Sequence, residues 1–467
     1  MADKRLAARI GGRAIAGIAG LAASVCVVGA ALSLPIAGVH TAPSPRTVTP
    51  VPANASAACP GPLLSLASGA SGASLIAVAQ PNAIAGGSGA PAHGTLTAAD
   101  VHGAQAQSFE QPAADAEAPV LAAVQTATAA ASDVAGFAAT ACTAPDYDSW
   151  LVGGATALGT TTLVVLSNPG DVAATVDVDA YSEQGPVVSS GGHGILVKPH
   201  AQNVVPLAGL APNASATAVH VTSTGGTVSA HLQESHLTGL TPQGVDWVAP
   251  TAPPADHLVI PGAVFDTTVL TGGGSDADDG GVPTLRVLPV GGKDAKLAVS
   301  IASEAGAASG AAISATASAG TVSEIPLDKL AAGTYTITVD SDVPVVAAVS
   351  TTTVAADKGT DFTWYAAART LTGAAAIPFA DGPGRALHLV NPTSAPVTVK
   401  FSGVSALTVT IPAGGAVTRP VGFSGVLTTK DAQGVLAAVS YAGPGQLSSY
   451  VAYPTGAAAS ALTVYRR

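Results

Sequence analysis

The stretch "HLQESH", His231 to His236, places two imidazoles and a carboxylate within six positions. These are the donor types that hold transition metals or move protons. On an extended strand, successive side chains point to opposite faces. His231 and Gln233 then face one way and Glu234 and His236 the other, so the set does not converge. Strand residues with no shared site are the plainer expectation. "GGGSDADDGG", Gly272 to Gly281, is the sharpest polar feature. Asp276, Asp278 and Asp279 offer hard oxygen ligands of the kind calcium takes. Their spacing departs from the EF-hand loop, whose fifth position would fall on Gly280, so a solvated hairpin insertion competes with the calcium reading. His193 and His200 flank a turn and could approach one another. No nucleophile elbow, zinc-protease helix, paired-cysteine motif or phosphate loop is present. The expectation is a protein that is not an enzyme and carries no cofactor.

Two other residue sets bear on function. Cys26 lies in an apolar run, whereas Cys59 and Cys142 stand outside it. Two cysteines in an oxidising compartment read as one disulfide. Closing a loop of more than eighty residues, it would stabilise the fold by about 4–5 kcal/mol at most. Trp247, Trp364, Tyr365, Tyr450 and Tyr453 recur near the ends of similar segments. Exposed, they would form stacking platforms for wall polysaccharide. Buried, they would be core, the usual fate of large aromatics.

The N-terminus says where these residues sit. "MADKRLAARIGGR" carries Lys4, Arg5, Arg9 and Arg13 against Asp3, and no charge follows from Ala14 to Val39. An uncharged apolar run of this length can cross a bilayer of roughly 30 Å. The preceding basic residues would keep the N-terminus in the cytoplasm. A cleaved signal peptide is the alternative, but its apolar region is normally shorter, about 7–15 residues. The expected organisation is a basic tail (1–13), a transmembrane anchor (14–39), and a Pro-rich spacer with a membrane-proximal module (40–145). The bulk would be extracellular, or secreted if the anchor is cleaved. Beyond residue 13, Lys and Arg number 14 and Asp and Glu 28, a net charge of −14. Such an acidic surface excludes nucleic acid as a partner, and leaves the membrane, an envelope protein or a wall polymer.

From about Asp146 the chain becomes short aliphatic runs separated by Gly, Pro, Asn and Asp, the pattern of an all-β protein. "LVVLSNPGDVAATVDV" (163–178) and "LHLVNPTSAPVTVKF" (387–401) repeat one pattern: a strand, a stop at Asn168-Pro169 or Asn391-Pro392, then alternation. Asn bonds its own backbone two residues on and Pro presets φ for a turn. Val176, Val178, Val399 and Phe401 should face inward and Thr175, Asp177, Thr398 and Lys400 outward. A weaker copy, "TLRVLPVGGKDAKLAVSI", keeps the Pro and loses the Asn. Pro206-Leu207, Pro326-Leu327 and Pro420-Val421 follow in step. The period of about 100–115 residues, with roughly seven strands, fits three tandem immunoglobulin-like β-sandwiches at 146–250, 256–370 and 371–467. Each should bury its own core, as beads on a stalk. Residues 60–141 show no such clear pattern.

The run "ACPGPLL" from Ala58, "DSWLVGG" from Asp148, the Asn-Pro strand and "PQGVDW" from Pro242 together resemble a family of actinobacterial exported or single-pass envelope proteins of unassigned function. That resemblance implies a cell-envelope location and supplies no catalytic residues. The resulting expectation is a non-enzymatic, membrane-anchored scaffold or protein-interaction module. A polysaccharide-binding protein using the aromatic patches is the alternative.

Overall fold

The structure is a computed structural model. It describes residues 17, 19–30, 45–48, 52–69, 72–99, 101–102, 105–114, 118–266, 281–306, 310–327, 330–356, 359–454 and 462–465. Asp276, Asp278 and Asp279 lie outside the described residues, as does part of the expected 14–39 anchor. Residues 19–30 are helical. Among the described residues, no helix is long and apolar enough to cross a membrane.

Two compact units divide the chain. In the first, Met1–Pro50 with Ser460–Arg467, the strand Pro45–Val48 pairs antiparallel with Leu462–Tyr465. The second, Val51–Ala459, is all β and holds everything that follows.

One pairing scheme recurs along that second unit. In copy one, the first sheet runs Asp148–Val152, Thr217–Gly225, Ala174–Ser182, Gly185–Val187. The second runs Ala201–Pro206, Thr160–Asn168, Ser229–Thr238, Thr241–Val248. Copy three repeats the order with Ala375–Phe379, Gly425–Thr429, Val397–Gly403, Leu407–Ile411 and with Ala416–Pro420, Ala386–Val390, Leu436–Gly443, Gln446–Val451. In copy two the single strand Gly333–Ala355 runs unbroken through both sheets. Its first half pairs Ala255–Phe265 and Ala295–Ser303, and its second half Thr284–Pro289 and Gly359–Ala366.

Within each copy, alternation sets the buried face. Val176, Val178, Val399 and Phe401 are buried, while Thr175, Thr398 and Lys400 are exposed and Asp177 is half-buried. Leu207, Leu327 and Val421 are buried after their prolines. Asn168 accepts a hydrogen bond from Gly170 N (3.0 Å) and donates to Val172 O (2.8 Å). Asn391 does the same with Thr393 N (2.9 Å) and Ala395 O (2.8 Å). These side chains fold the turn onto themselves, which is why the Asn-Pro pair ends a strand.

Two features differ from the sequence expectation. A fourth, leading copy occupies the stretch that showed no clear pattern. Ala55–Ala58, Ala106–Gln111 and Ala92–Leu96 form one sheet, Asn82–Gly87, Leu121–Ala130 and Ala135–Cys142 a second, and Leu63–Gly69, Gly72–Ala79 and Val101–His102 a third. Alanine hid it: in "LAAVQTATAA" the residues from Ala123 to Ala127 are buried in succession, and five alanines among ten residues give the sequence little contrast between faces. The copies are also not separate beads. The core of copy one includes Leu288, Val346, Phe362 and Trp364 from copy two. The core of copy three includes Val124, Phe137 and Ala139 from the leading copy.

Candidate functional site

The last strand of each copy packs against the next, and the four close a ring: Ala135–Cys142, Thr241–Val248, Gly359–Ala366, Gln446–Val451, and back to the first. Two carboxylates sit inside it with no measurable exposure, Asp246 and Asp361. Asp361 accepts backbone N–H groups from each of the other three central strands. Phe137 N (2.9 Å) and Leu447 N (3.2 Å) bond one oxygen, and Val245 N (3.3 Å) the other, which also takes Phe362 N (3.2 Å). Asp246 accepts Thr363 Oγ1 (2.7 Å) and Trp364 N (3.0 Å) on one oxygen and Ser448 Oγ (2.8 Å) on the other. Ser448 Oγ in turn accepts Ala139 N (2.8 Å). So the two acids tie all four strands together.

The backbone makes room for this. A Cβ on Gly136 (φ +143°) would stand 2.5 Å from Asp361 Oδ1, and one on Gly244 (φ +123°) 2.9 Å from the same atom. Burial pushes both carboxyls well above their usual range, against the pull of the hydrogen bonds, and the charge of Asp246 raises Asp361 further.

Two more buried clusters lie at seams between copies. Between copies one and two, Glu234 pairs with His236 (2.7 Å) and accepts Gly154 N (2.8 Å) and Trp364 Nε1 (2.7 Å). Arg286 lies 4.4 Å over the Trp364 ring, donates to Gly154 O (2.6 Å), and pairs with Glu324 (2.7 Å). Burial pushes Glu234 up, but the bond and charge of His236, with Arg286 and the indole N–H, bring it below its usual value. Between copies two and three, Ser440 Oγ stands 2.8 Å from His388 Nε2, and His388 Nδ1 2.6 Å from Glu304. That order, hydroxyl, imidazole, carboxylate, is the geometry of an activated nucleophile. Here it is enclosed. Ser440 and His388 are buried, and the backbone of Gly262 approaches so closely that a Cβ there would stand 2.5 Å from the His388 ring. Glu304 also accepts Gly262 N (2.9 Å), Thr336 Oγ1 (2.8 Å) and Thr418 Oγ1 (2.5 Å). Burial raises the Glu304 carboxyl, yet His388 and the two threonines hold it down to about 2. Glu304 Oε2 bonds across the seam, to His388 and Thr418, while its Oε1 is taken by Gly262 and Thr336 within copy two and Ser440 Oγ by His388 within copy three.

The sequence candidates distribute among these places. His236 and Glu234 do share a face and bond, as alternation predicts. His231 faces elsewhere: its Nε2–H donates to Ala141 O (3.1 Å), and burial pushes it down to about 4, so it is neutral at pH 7. His193 lies by Asp177 and Asp179, and His200 by Asp171. The described groups contain no cluster of three or more His, Cys, Asp or Glu arranged to hold a metal. Cys59 and Cys142 form a disulfide. The segment that follows Cys59 is clamped by glutamine amides. Gln125 exchanges two bonds with the Gly61 backbone (3.2 and 2.8 Å), and Gln233 two with Leu64 (2.8 and 2.6 Å). Trp247, Trp364, Tyr365 and Tyr450 are buried and Tyr453 half-buried. The stacking-platform expectation is therefore corrected at these residues: Trp364 packs into the core of copy one and Trp247 against the leading copy, while Tyr365 and Tyr450 lie in the cores of their own copies.

Sequence reasoning passed over Asp246, Asp361, Arg286, Glu304, His388 and Ser440. A usable signal existed. Arg286 and His388 each interrupt an aliphatic run, "LRVL" and "LHLV", at the same strand position, opposite Ala348 and Ala438. A polar side chain repeated there in two copies marks a seam.

No curated protein matches the chain. Among solved structures, the BSP domain of a biofilm-associated protein aligns at 12% identity over 72% of this chain and 64% of that chain, with a TM-score of 0.11. The chain thus spans less than two thirds of that protein's length. A family model described as a family of unknown function, DUF5719, matches residues 97–421.

Proposed function

We propose that this chain, which belongs to the DUF5719 family of unknown function, is a non-enzymatic protein of the cell envelope, exported and tethered by its N-terminus. It acts there as a rigid scaffold for protein interaction. The observation that carries this reading is the Cys59–Cys142 disulfide, since such bonds persist in oxidising compartments. The basic stretch before the uncharged run Ala14 to Val39 supports it. The scaffold role is supported by how the buried polar groups are used. Asp246, Asp361, Glu234 and Glu304 each take hydrogen bonds from a neighbouring copy. On this reading the recurrent two-sheet copies are immunoglobulin-like sandwiches, and the source is an actinobacterium.

The test is made in cells. Protease added outside intact cells should degrade the chain, and maleimide-polyethylene glycol should label Cys59 and Cys142 only after reduction. A protease-protected chain with both thiols free would refute the export. Labelling of Ser440 by a fluorophosphonate probe, absent in Ser440→Ala, would refute the non-enzymatic reading.

A further inference from the structure

A cleft of about 380 Å³ opens where the connection from copy one to copy two meets that from copy two to copy three. Pro253, Pro254, Leu258, Val259, Pro392 and Leu436 give it apolar walls. Arg369 and His257 bring a guanidinium and an imidazole to the same lining. The stretch bearing Arg369 is pinned: Ala252 N donates to Ala367 O, Ala368 N to Val259 O, and Leu371 N to Val435 O (2.9, 2.9 and 2.8 Å). The backbone that carries Arg369 is therefore fixed before any ligand arrives. The guanidinium is poorly satisfied by the protein. Its buried Nε has no hydrogen-bond partner among the described residues, and its ion pair with Asp146 is long, 3.9 Å. The side chain is 27% exposed.

The geometry points to a binding site for a small organic monocarboxylate with an apolar body, its acid group on Arg369 and its body along the proline and leucine walls. The volume is within the range of ligand pockets, roughly 300–1,000 Å³. Arginine is the residue suited to carboxylates, through its planar fork of donors. The surrounding charge favours a monoanion over a dianion. Two acids flank the site: Asp340 is paired with His257 at 2.7 Å, and Asp146 lies 3.9 Å from Arg369, so a single, loosely paired guanidinium faces the ligand. This site stands whether or not the chain is exported.

The test is calorimetric titration of the full chain in lipid nanodiscs, against empty nanodiscs. Two probes separate the sources of such a group: hexanoate for a free acid, and N-acetyl-alanyl-leucine for a peptide C-terminus. At least one should bind saturably at one per chain. Its carboxamide counterpart should bind at least tenfold more weakly, and hexyl phosphate more weakly than the acid. Arg369→Gln should abolish the binding and Arg369→Lys should retain part of it. His257→Glu, at a half-exposed wall position, adds a repelling charge without touching Arg369 and should weaken binding several-fold. Absence of saturable binding by both acids, equal binding of acid and amide, preference for the phosphate, or unchanged binding in both Arg369→Gln and His257→Glu would each overturn the assignment.

Discussion

The strand Ala295–Ser303 and the central strand Gly359–Ala366 belong to the same copy and obey different rules. Along the first, burial alternates residue by residue, with Leu297, Val299 and Ile301 inside and Lys296, Ala298 and Ser300 outside. Along the second, six consecutive residues from Asp361 to Ala366 are buried. One sheet meets solvent on its far side; the other meets the neighbouring copies. A polar residue on the far face of the first costs nothing. The same residue in the central ring must find partners inside the protein, because an unsatisfied buried group costs about 1–3 kcal/mol. Asp361 meets that demand by accepting N–H groups from three other strands. The lesson is that in this fold the polar residues of the interior, more than its aliphatic ones, specify how copies meet.

The largest loss of stability is expected at Asp361. Asp361→Ala strands several buried N–H groups at once and should cost about 3–5 kcal/mol, in the range seen when buried polar networks lose a member. Denaturant unfolding of the full chain measures it, and a loss under about 1 kcal/mol would mean that the ring does not depend on this acid.

Next in size is the leading copy's tether. Cys59→Ala with Cys142→Ala should cost about 2–5 kcal/mol. Native-state proteolysis should then cut first between residues 59 and 142; cleavage starting in copy three would contradict this placement.

Acidity sharpens the contrast between two kinds of buried acid. Asp246 and Asp361 have raised values, so their contribution is fully present below the ordinary aspartate range and fades as pH rises through their folded values. Glu304, held at about 2, does the reverse. Its contribution is complete above the ordinary glutamate value near 4.5 and is lost as pH falls toward 2. Melting profiles from pH 3 to 8 should therefore tilt in opposite senses for Asp361→Asn and Glu304→Gln relative to the parent. A common tilt would show that the two sites are not distinguished by their partners.

The smallest effect belongs to the surface pair His257–Asp340, whose side chains are 55% and 56% exposed. Asp340→Ala should change stability by about 0.5 kcal/mol or less. A larger loss would place this pair among the seams.

The outer sheets were legible because alternation needs only one strand and one wet face to be seen. Val176, Val178, Val399 and Phe401 announce their side, and Asn168 and Asn391 announce their turns, since an Asx turn is closed by residues two to four apart. The disulfide was legible by counting. The leading copy was not, because its "LAAVQTATAA" strand is half alanine and buried on both faces from Ala123 to Ala127, which leaves the two faces little difference to read in the sequence. Nor was the central site. Asp246 and Asp361 lie 115 positions apart, and their partners Phe137, Ser448 and Leu447 come from the second unit's two ends.

By itself, then, the sequence determined the local matters: strand class, inward face, turn position, repeat length and the cysteine pair. Each of these follows from forces acting within a few residues or from composition. Only the tertiary structure decided that four copies close on one another, that the recurrent aromatics are interior, and that a handful of acids hold the seams. Those outcomes depend on which buried donor meets which acceptor across segments hundreds of residues apart, and no local periodicity encodes that meeting.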